Sequence, residues 1–371
     1  MPILSASADR SKQVIGLYHP KTWKEKGLPW TIGLFIATYI IVVIALGIYW
    51  SIAPATFDVA QNAKETAAAT KNRMVPGFTT TATLVRVADT MLHKPGGYLS
   101  NDVTPPGIYL DNMPEWEFGV LVQVRDMAQT FRNDFSRSQS QSVEDKDLII
   151  AQPRFNFDSN SWMLPSTEGE YEAGIKALQS YMNRLGGTQQ PAAQFYVRAD
   201  NLRDWLSQVD KRLGSLSQRL GASVGQEIIN VGQPPIATGT SNGEDRTVPA
   251  SEVNKDTNDD RANSTAQQFH KTSWTEIDNI FFEARGQAWA LLHLLKAIQI
   301  DFAPVLADKN AQTSLQQVIR ELEPTQSTIW SPVLLNGSGF GLVTNHSLIM
   351  ASYLSRANAA VIDLRRLLEQ G

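Results

Sequence analysis

The sequence predicts an all-α protein: a single N-terminal transmembrane helix followed by a helical bundle, whose pattern also allows two duplicated helical units. Three observations predict it. Thr31 to Trp50, TIGLFIATYIIVVIALGIYW, runs for 20 residues without a charge. A helix of that length spans about 30 Å, the hydrocarbon thickness of a bilayer. Further on, Tyr171, Ile175, Leu178, Met182 and Leu185 step by 4 and 3, as do Phe195, Ala199, Leu202, Leu206, Val209, Leu213, Leu216 and Leu220, which is a heptad seam. Finally, the chain lacks the alternation of strand and helix signals that an α/β fold requires.

The elements follow in order. Residues 1–30 form a cytoplasmic N-terminal tail and 31–50 the span. Trp30 flanks it on one side, Tyr49 and Trp50 on the other, where amphipathic rings settle among headgroups. Residues 51–77 read as a juxtamembrane helix or linker, alanine-rich from Thr56 to Arg73. A first helical unit covers 78–224. Its helix with Leu84, Val87, Ala88, Met91 and Leu92 ends at Lys94-Pro95-Gly96-Gly97. In the next helix Asn112 is the expected cap, Pro114 sits near the start, and Glu115 and Glu117 meet the positive helix end. The two heptad seams, joined by a Gly/Pro loop, predict an antiparallel hairpin. Residues 225–273 form a flexible polar insertion, too poor in apolar residues to bury itself. The second unit, 274–371, is expected to pack on the first. Its helix from Phe281 to Phe302 is apolar nearly all round and should be central. Ala311–Glu323 and His346–Glu369 supply two more helices.

Charge sets orientation and narrows partners. Arg10, Lys12, Lys21, Lys24 and Lys26 precede the span, and the 20 residues after it hold only Lys64. The basic side stays cytoplasmic, which places the body in a periplasm, anchored in a bacterial inner membrane through residues 31–50. A cleaved signal peptide is the rival reading. The apolar run is longer than a signal core of about 7–15 residues and follows a long polar segment. The first 50 residues hold five Lys/Arg and two Asp/Glu, so the net charge of −4 for the whole chain leaves −7 outside. An acidic body has no electrostatic footprint for nucleic acid. There is no cysteine, hence no disulfide.

An internal duplication emerges on overlaying Asp111-Asn112 with Asp278-Asn279. Asp134-Phe135 and Asp301-Phe302 then follow at the same separation, and Gly119 aligns with Gly286. Upstream, Val87-Ala88-Asp89 resembles Arg198-Ala199-Asp200.

Chemistry is sparse, and no catalytic, cofactor-binding or metal site is assigned. The five histidines, His19, His93, His270, His293 and His346, form no helical metal pair. His293, inside Leu291-Leu292-His293-Leu294-Leu295, reads as a hydrogen-bonded core residue. Asp256, Asn258 and Asp260 begin like a calcium loop but lack its glycine and its terminal glutamate. Asn336-Gly337-Ser338-Gly339 misses a nucleophile elbow, and Gly337-x-Gly339-x-Gly341 reads as a turn. Trp116, Trp162, Trp205, Trp274, Trp289 and Trp330 are core anchors or, alternatively, pocket walls. The Lys94–Tyr98 loop is the best candidate for a surface contact.

Long motifs carry a resemblance. KPGGYLSND from Lys94, LDNMPEWEFGVLVQVRDM from Leu110, NDFSRSQSQS from Asn133, DSNSWMLPSTEGEY from Asp158, FYVRADNLRDWL from Phe195 and EARGQAWALLHLLKAIQIDF from Glu283 resemble a family of uncharacterised proteobacterial inner-membrane proteins. The resemblance implies one N-terminal anchor, a helical body outside and no assigned activity. Heptad seams, an anchor and no catalytic constellation give the functional expectation of a non-enzymatic envelope protein that acts as an interaction or scaffold component, with a protein partner or self-association. A lipid or small-ligand binding module is the alternative. An enzyme assembled from His93, Asp102 and His293 is the third reading.

Overall fold

The computed structural model describes residues 18–138, 143–187, 189–229, 267–329, 334–335 and 344–370. The chain enters through a short helix α1 (Pro20–Lys26) and the apolar helix α2 (Leu28–Trp50). Helix α2 begins three residues before Thr31 because Pro29 lies in the first turn, where a missing N–H costs nothing. None of its residues is buried within the protein. Among the described residues it is the one helix long and apolar enough to cross a membrane.

Helix α3 (Val59–Thr70) is capped by Asp58, which accepts from Gln61 N at 2.9 Å, and buries Val59, Ala63 and Ala67 along one face. Helix α4 (Phe78–His93) leads into α5 (Asn112–Thr130). Asp111, one residue before the expected cap, accepts from Asn112 N. The chain widens into a π turn over Phe131–Phe135, which keeps both phenylalanines buried. Helix α6 (Lys146–Phe155) has no counterpart in the sequence reading; it carries Pro153 internally and is only 10 residues long. Helices α7 (Thr167–Leu185) and α8 (Ala199–Gly221) bear the two heptad seams. The insertion is pinched at its base by a two-stranded antiparallel ribbon, β1 (Gln226–Ile229) on β2 (Gln267–His270), where one flexible loop was expected. Residues 230–266, with the calcium-like Asp256, Asn258 and Asp260, lie outside the described residues. Helices α9 (Ile277–Asp301), α10 (Ala303–Asp308), α11 (Gln312–Leu322) and α12 (His346–Glu369) complete the chain.

The expected hairpin is not formed. Helix α7 packs on α6 and α4, whereas α8 packs on α12. The connection is no tight turn: Phe195 inserts into the core against Phe131, Phe135 and Phe302, and Tyr181 donates to Gln194 O at 2.6 Å. The pairing resolves into two sets. In α4–α5–α6–α7 the first helix touches the second and fourth, the second the third, and the third the fourth. The set α8–α9–α11–α12 repeats the same ring of contacts. Helix α8 takes part in the second ring of contacts, and the sequence reading drew its unit boundary at 224. One hydrophobic core runs through both sets, with α9 buried at its centre.

The sets meet where α5 crosses α9. A Cβ on Gly119 would overlap the carbonyl oxygen of Glu283 and stand 2.8 Å from Gln287 N. A Cβ on Gly286 would overlap the carbonyl oxygen of Trp116. The contact is reciprocal: each glycine meets the residue three positions before the other. The aligned residues also bond alike: Asp278 accepts from Asn279 N as Asp111 does from Asn112 N. Around the crossing, buried Gln123 donates to Gln287 and Gln287 to Glu283, and Arg219 at the surface pairs with Glu283, a chain of satisfied polar groups.

Gly119→Ala or Gly286→Ala forces two backbones apart and should lower unfolding free energy by about 3 kcal/mol. Gly214→Ala in α8, where a Cβ meets only Asn358 Nδ2 at 3.6 Å, should instead raise it by up to about 1 kcal/mol. Denaturant titration followed by circular dichroism checks both signs.

Candidate functional site

Helices α5 and α9 both start a short way before their crossing, so their N-termini converge at one end of the bundle. Asn112 and Asp278 line one cavity there, of about 550 Å³. The end of α2 reaches the same place, contributing Ser51, Ile52 and Ala53. Phe282, Ile329 and Leu334 make the wall largely apolar, and Thr328 adds a hydroxyl. Two helix N-termini bring partial positive charge to this end. Asp278 counters part of it.

The cavity also holds Arg285, a buried side chain 9% exposed. Its Nη2 donates to Gln326 O at 3.1 Å, and Gln326 Nε2 returns a bond to Arg285 O at 3.2 Å. Its Nε has no acceptor among the described residues. Burial alone pushes the guanidinium below the usual arginine range. An adjoining cavity of about 380 Å³ shares Arg285, Thr328 and Ile329 and is walled by Phe281, Met350 and His346. Asn112 Oδ1 and His346 Nε2 are enclosed without partners among the described residues.

The body grips the segment that leaves α2. His293 is fully buried, stacked on Phe57 at 4.0 Å between ring centres. Its Nδ1–H donates to Trp289 O at 2.7 Å and its Nε2 accepts from Phe57 N at 3.0 Å. Trp289 Nε1 donates to Ala55 O. Burial lowers the His293 pKa to about 4, so the ring is neutral with its proton on Nδ1. It is a bonded core histidine, as its apolar neighbours in sequence suggested.

Sequence expectation and structure part company at the Lys94–Tyr98 loop. Lys94, Tyr98 and Leu99 are buried. Glu117, fully buried on α5, pairs with Lys94 and accepts from Leu99 N at 2.8 Å and Ser100 N at 2.9 Å. Burial pushes both partners toward neutrality, Lys94 down and Glu117 up. Gly96, at φ +91°, lies against the Trp50 ring, so the loop seats the end of α2 instead of facing solvent. The segment Val103–Leu110 that follows is uncharged. A Cβ on Gly47 of α2 would stand 3.6 Å from Pro106 Cβ and 3.9 Å from Leu110 Cδ2, and Ile108 and Tyr109 beside them are exposed.

The other singled-out residues do not assemble. His93 pairs at the surface with Asp89 at 3.0 Å and reaches Glu172 at 4.0 Å. Asp102, half-buried near Lys94, shares no bond with His93 or His293 among the described residues. Trp116, Trp205 and Trp289 are core anchors, while Trp162 and Trp274 are exposed. Trp330 and residues 336–341 lie outside the described residues. Among the described residues no group of three or more His, Cys, Asp or Glu could hold a metal.

The folded-state pKa of His293 lies below the unfolded value of 6.5. Between the two the unfolded chain binds the extra proton, so the stability this residue contributes is complete above pH 6.5 and is lost as pH falls toward 4. The loss amounts to roughly 3 kcal/mol. In His293→Gln, urea midpoints at pH 7 and 4.5 should differ by correspondingly less than in the unaltered chain.

No curated protein and no solved structure matches the chain. The family model described as "uncharacterized protein conserved in bacteria (DUF2333)" matches residues 23–371. That span takes in the apolar helix, the glycine crossing and the cavity at their junction. The resemblance carried by the long motifs is thereby confirmed, and the chain belongs to this family of conserved bacterial proteins.

Proposed function

We propose that the protein is anchored in the bacterial inner membrane by α2, with its amino terminus cytoplasmic and its helical body in the periplasm, and that the body binds a lipid or other small amphiphile. The cavity at the end of α2 carries this reading: it is apolar on most of its wall, polar at a few points, and of ordinary ligand size. Lys21, Lys24 and Lys26 before α2, against Lys64 alone soon after it, support the orientation. The uncharged segment Val103–Leu110 supports a body seated on the bilayer. It touches α2 at Gly47, about 4.5 Å along the axis from Trp50. With α2 spanning, Ile108 and Tyr109 lie at headgroup depth, where tyrosine is favoured.

The heptad seams that suggested a protein scaffold lie inside the chain's own core. A different observation favours a protein contact as the second reading. Trp162, Met163 and Leu164 are all exposed, Leu164 by 97%, on a loop held by Asn101 and Thr167 bonds to Ser161 O. An ordered loop that presents adjacent apolar side chains fits a small hot spot for a second copy.

Native mass spectrometry of the chain extracted in mild detergent should show one retained amphiphile; consistently empty spectra overturn the ligand reading. Because the chain has no cysteine, single cysteines report cleanly. In bilayer discs, an environment-sensitive dye at Ile108→Cys should emit blue-shifted and be quenched by spin-labelled lipid, whereas one at Val143→Cys should report water. Leu164→Cys should disulfide-link two copies if the second reading holds. Water-like emission at Ile108 and no linked dimer through Leu164 would discard the two surfaces separately.

A further inference from the structure

Three lysine and arginine side chains are buried among the described residues: Lys94, Arg184 and Arg285. Lys94 sits on Glu117, and Arg184 on Asp145 and Asp147. Arg285 has no carboxylate partner among the described residues. A buried cation left without a counter-charge is costly, and the surroundings do not relieve it. Of its five N–H donors, one reaches a carbonyl, Gln326 O, and Nε reaches nothing. Of the carboxylates nearby, Glu283 is held by Arg219, and Asp278 accepts from Asn279 N at 3.2 Å; neither forms an ion pair with Arg285 among the described residues.

Position adds to charge. Arg285 lines both cavities, one bounded by Ile52, Phe282 and Ile329 and the other by Phe281 and Met350. Asn112 in the first cavity has an enclosed oxygen without a donor, suited to a ligand hydroxyl. The N-termini of α5 and α9 open on the same space and favour negative charge. A guanidinium fork matches a phosphate in two parallel hydrogen bonds.

We propose that Arg285 is the recognition residue for a phosphate group, carried on an amphiphile whose apolar part lies against Ile52, Phe282 and Ile329. The inference rests on the reading of this cavity as a ligand site. It adds the ligand's chemical class and the residue that selects it. A lipid headgroup supplies that phosphate; a soluble phosphate offers the same chemistry without the apolar part, and the test separates the two.

The test uses the full chain in dodecyl maltoside micelles, with melting followed by tryptophan fluorescence. Three probes are added at equal concentration: dihexanoyl phosphatidylglycerol, inorganic phosphate and uncharged dihexanoylglycerol. The phospholipid should raise the midpoint by about 3–5 °C. The uncharged lipid should raise it much less. A shift from inorganic phosphate equal to the phospholipid's keeps the anion site and assigns it to a soluble ligand. Arg285→Met should abolish the phospholipid shift. Without ligand, this variant should melt no lower than the unaltered chain, because no ion pair is lost. Arg285→Lys, which keeps charge without the fork, should retain only part of the shift. Equal shifts from charged and uncharged lipid in both the unaltered chain and Arg285→Met overturn the role of Arg285 while the cavity remains a ligand site. Absence of any shift, together with empty native mass spectra, removes both.

Discussion

The close crossing of α5 and α9 at Gly119 and Gly286 is the constraint on which the rest depends. Packed helices ordinarily keep their axes about 8–10 Å apart, separated by side chains. Here backbone meets backbone, with a carbonyl of each helix filling the space a Cβ would occupy on the other. That proximity fixes how the two four-helix rings face each other. It also brings Gln123, Gln287, Glu283 and Arg219 into one bonded chain and turns the starts of both helices toward α2. The cavity is thus a by-product of the crossing: two helix ends converge, and the wedge between them is closed by the chain that leaves the apolar helix.

The same end of the bundle is stiffened by polar groups placed in unusually dry surroundings. The Lys94–Glu117 pair adds little net stability when set against a well-packed apolar replacement, yet removing one partner alone costs several kcal/mol. Its effect is local order. Glu117 gathers the N–H groups of Leu99 and Ser100, holds the loop in one shape, and so presents Gly96 to Trp50. His293 acts likewise on the other side, with a ring nitrogen for Phe57 N and an aromatic face for its side chain. Both devices bond backbone that would otherwise be buried without partners.

Much of this was legible in the residues. Periodicity located α4, α5, α7, α8, α9, α11 and α12 because each buries one long face or, for α9, nearly all of them. The alignment of Gly119 with Gly286 pointed at the crossing, although two glycines alone do not say that they touch. Partner choice was not legible. A heptad seam names the face that is buried and not the helix that buries it, so α7 and α8 read as a hairpin while each packs elsewhere. Helix α6 was missed because its apolar face is short and Pro153 interrupts it. The Lys94 loop has the composition of a surface turn; its carboxylate lies on the next helix, 23 residues away. Arg285 carried no signal at all, since its significance is the missing counter-charge, which only three dimensions reveal.

The grip of His293 and Trp289 on Ala55 and Phe57 also sets a length. Six residues, 51 to 56, separate Trp50 from Phe57, and even fully stretched they reach roughly 20 Å. With α2 in a bilayer, the leash is too short for the body to drift toward a second membrane or into the bulk of the compartment. In that setting the body stays within a thin sheet beside the bilayer, and it meets other tethered molecules by sideways diffusion in two dimensions.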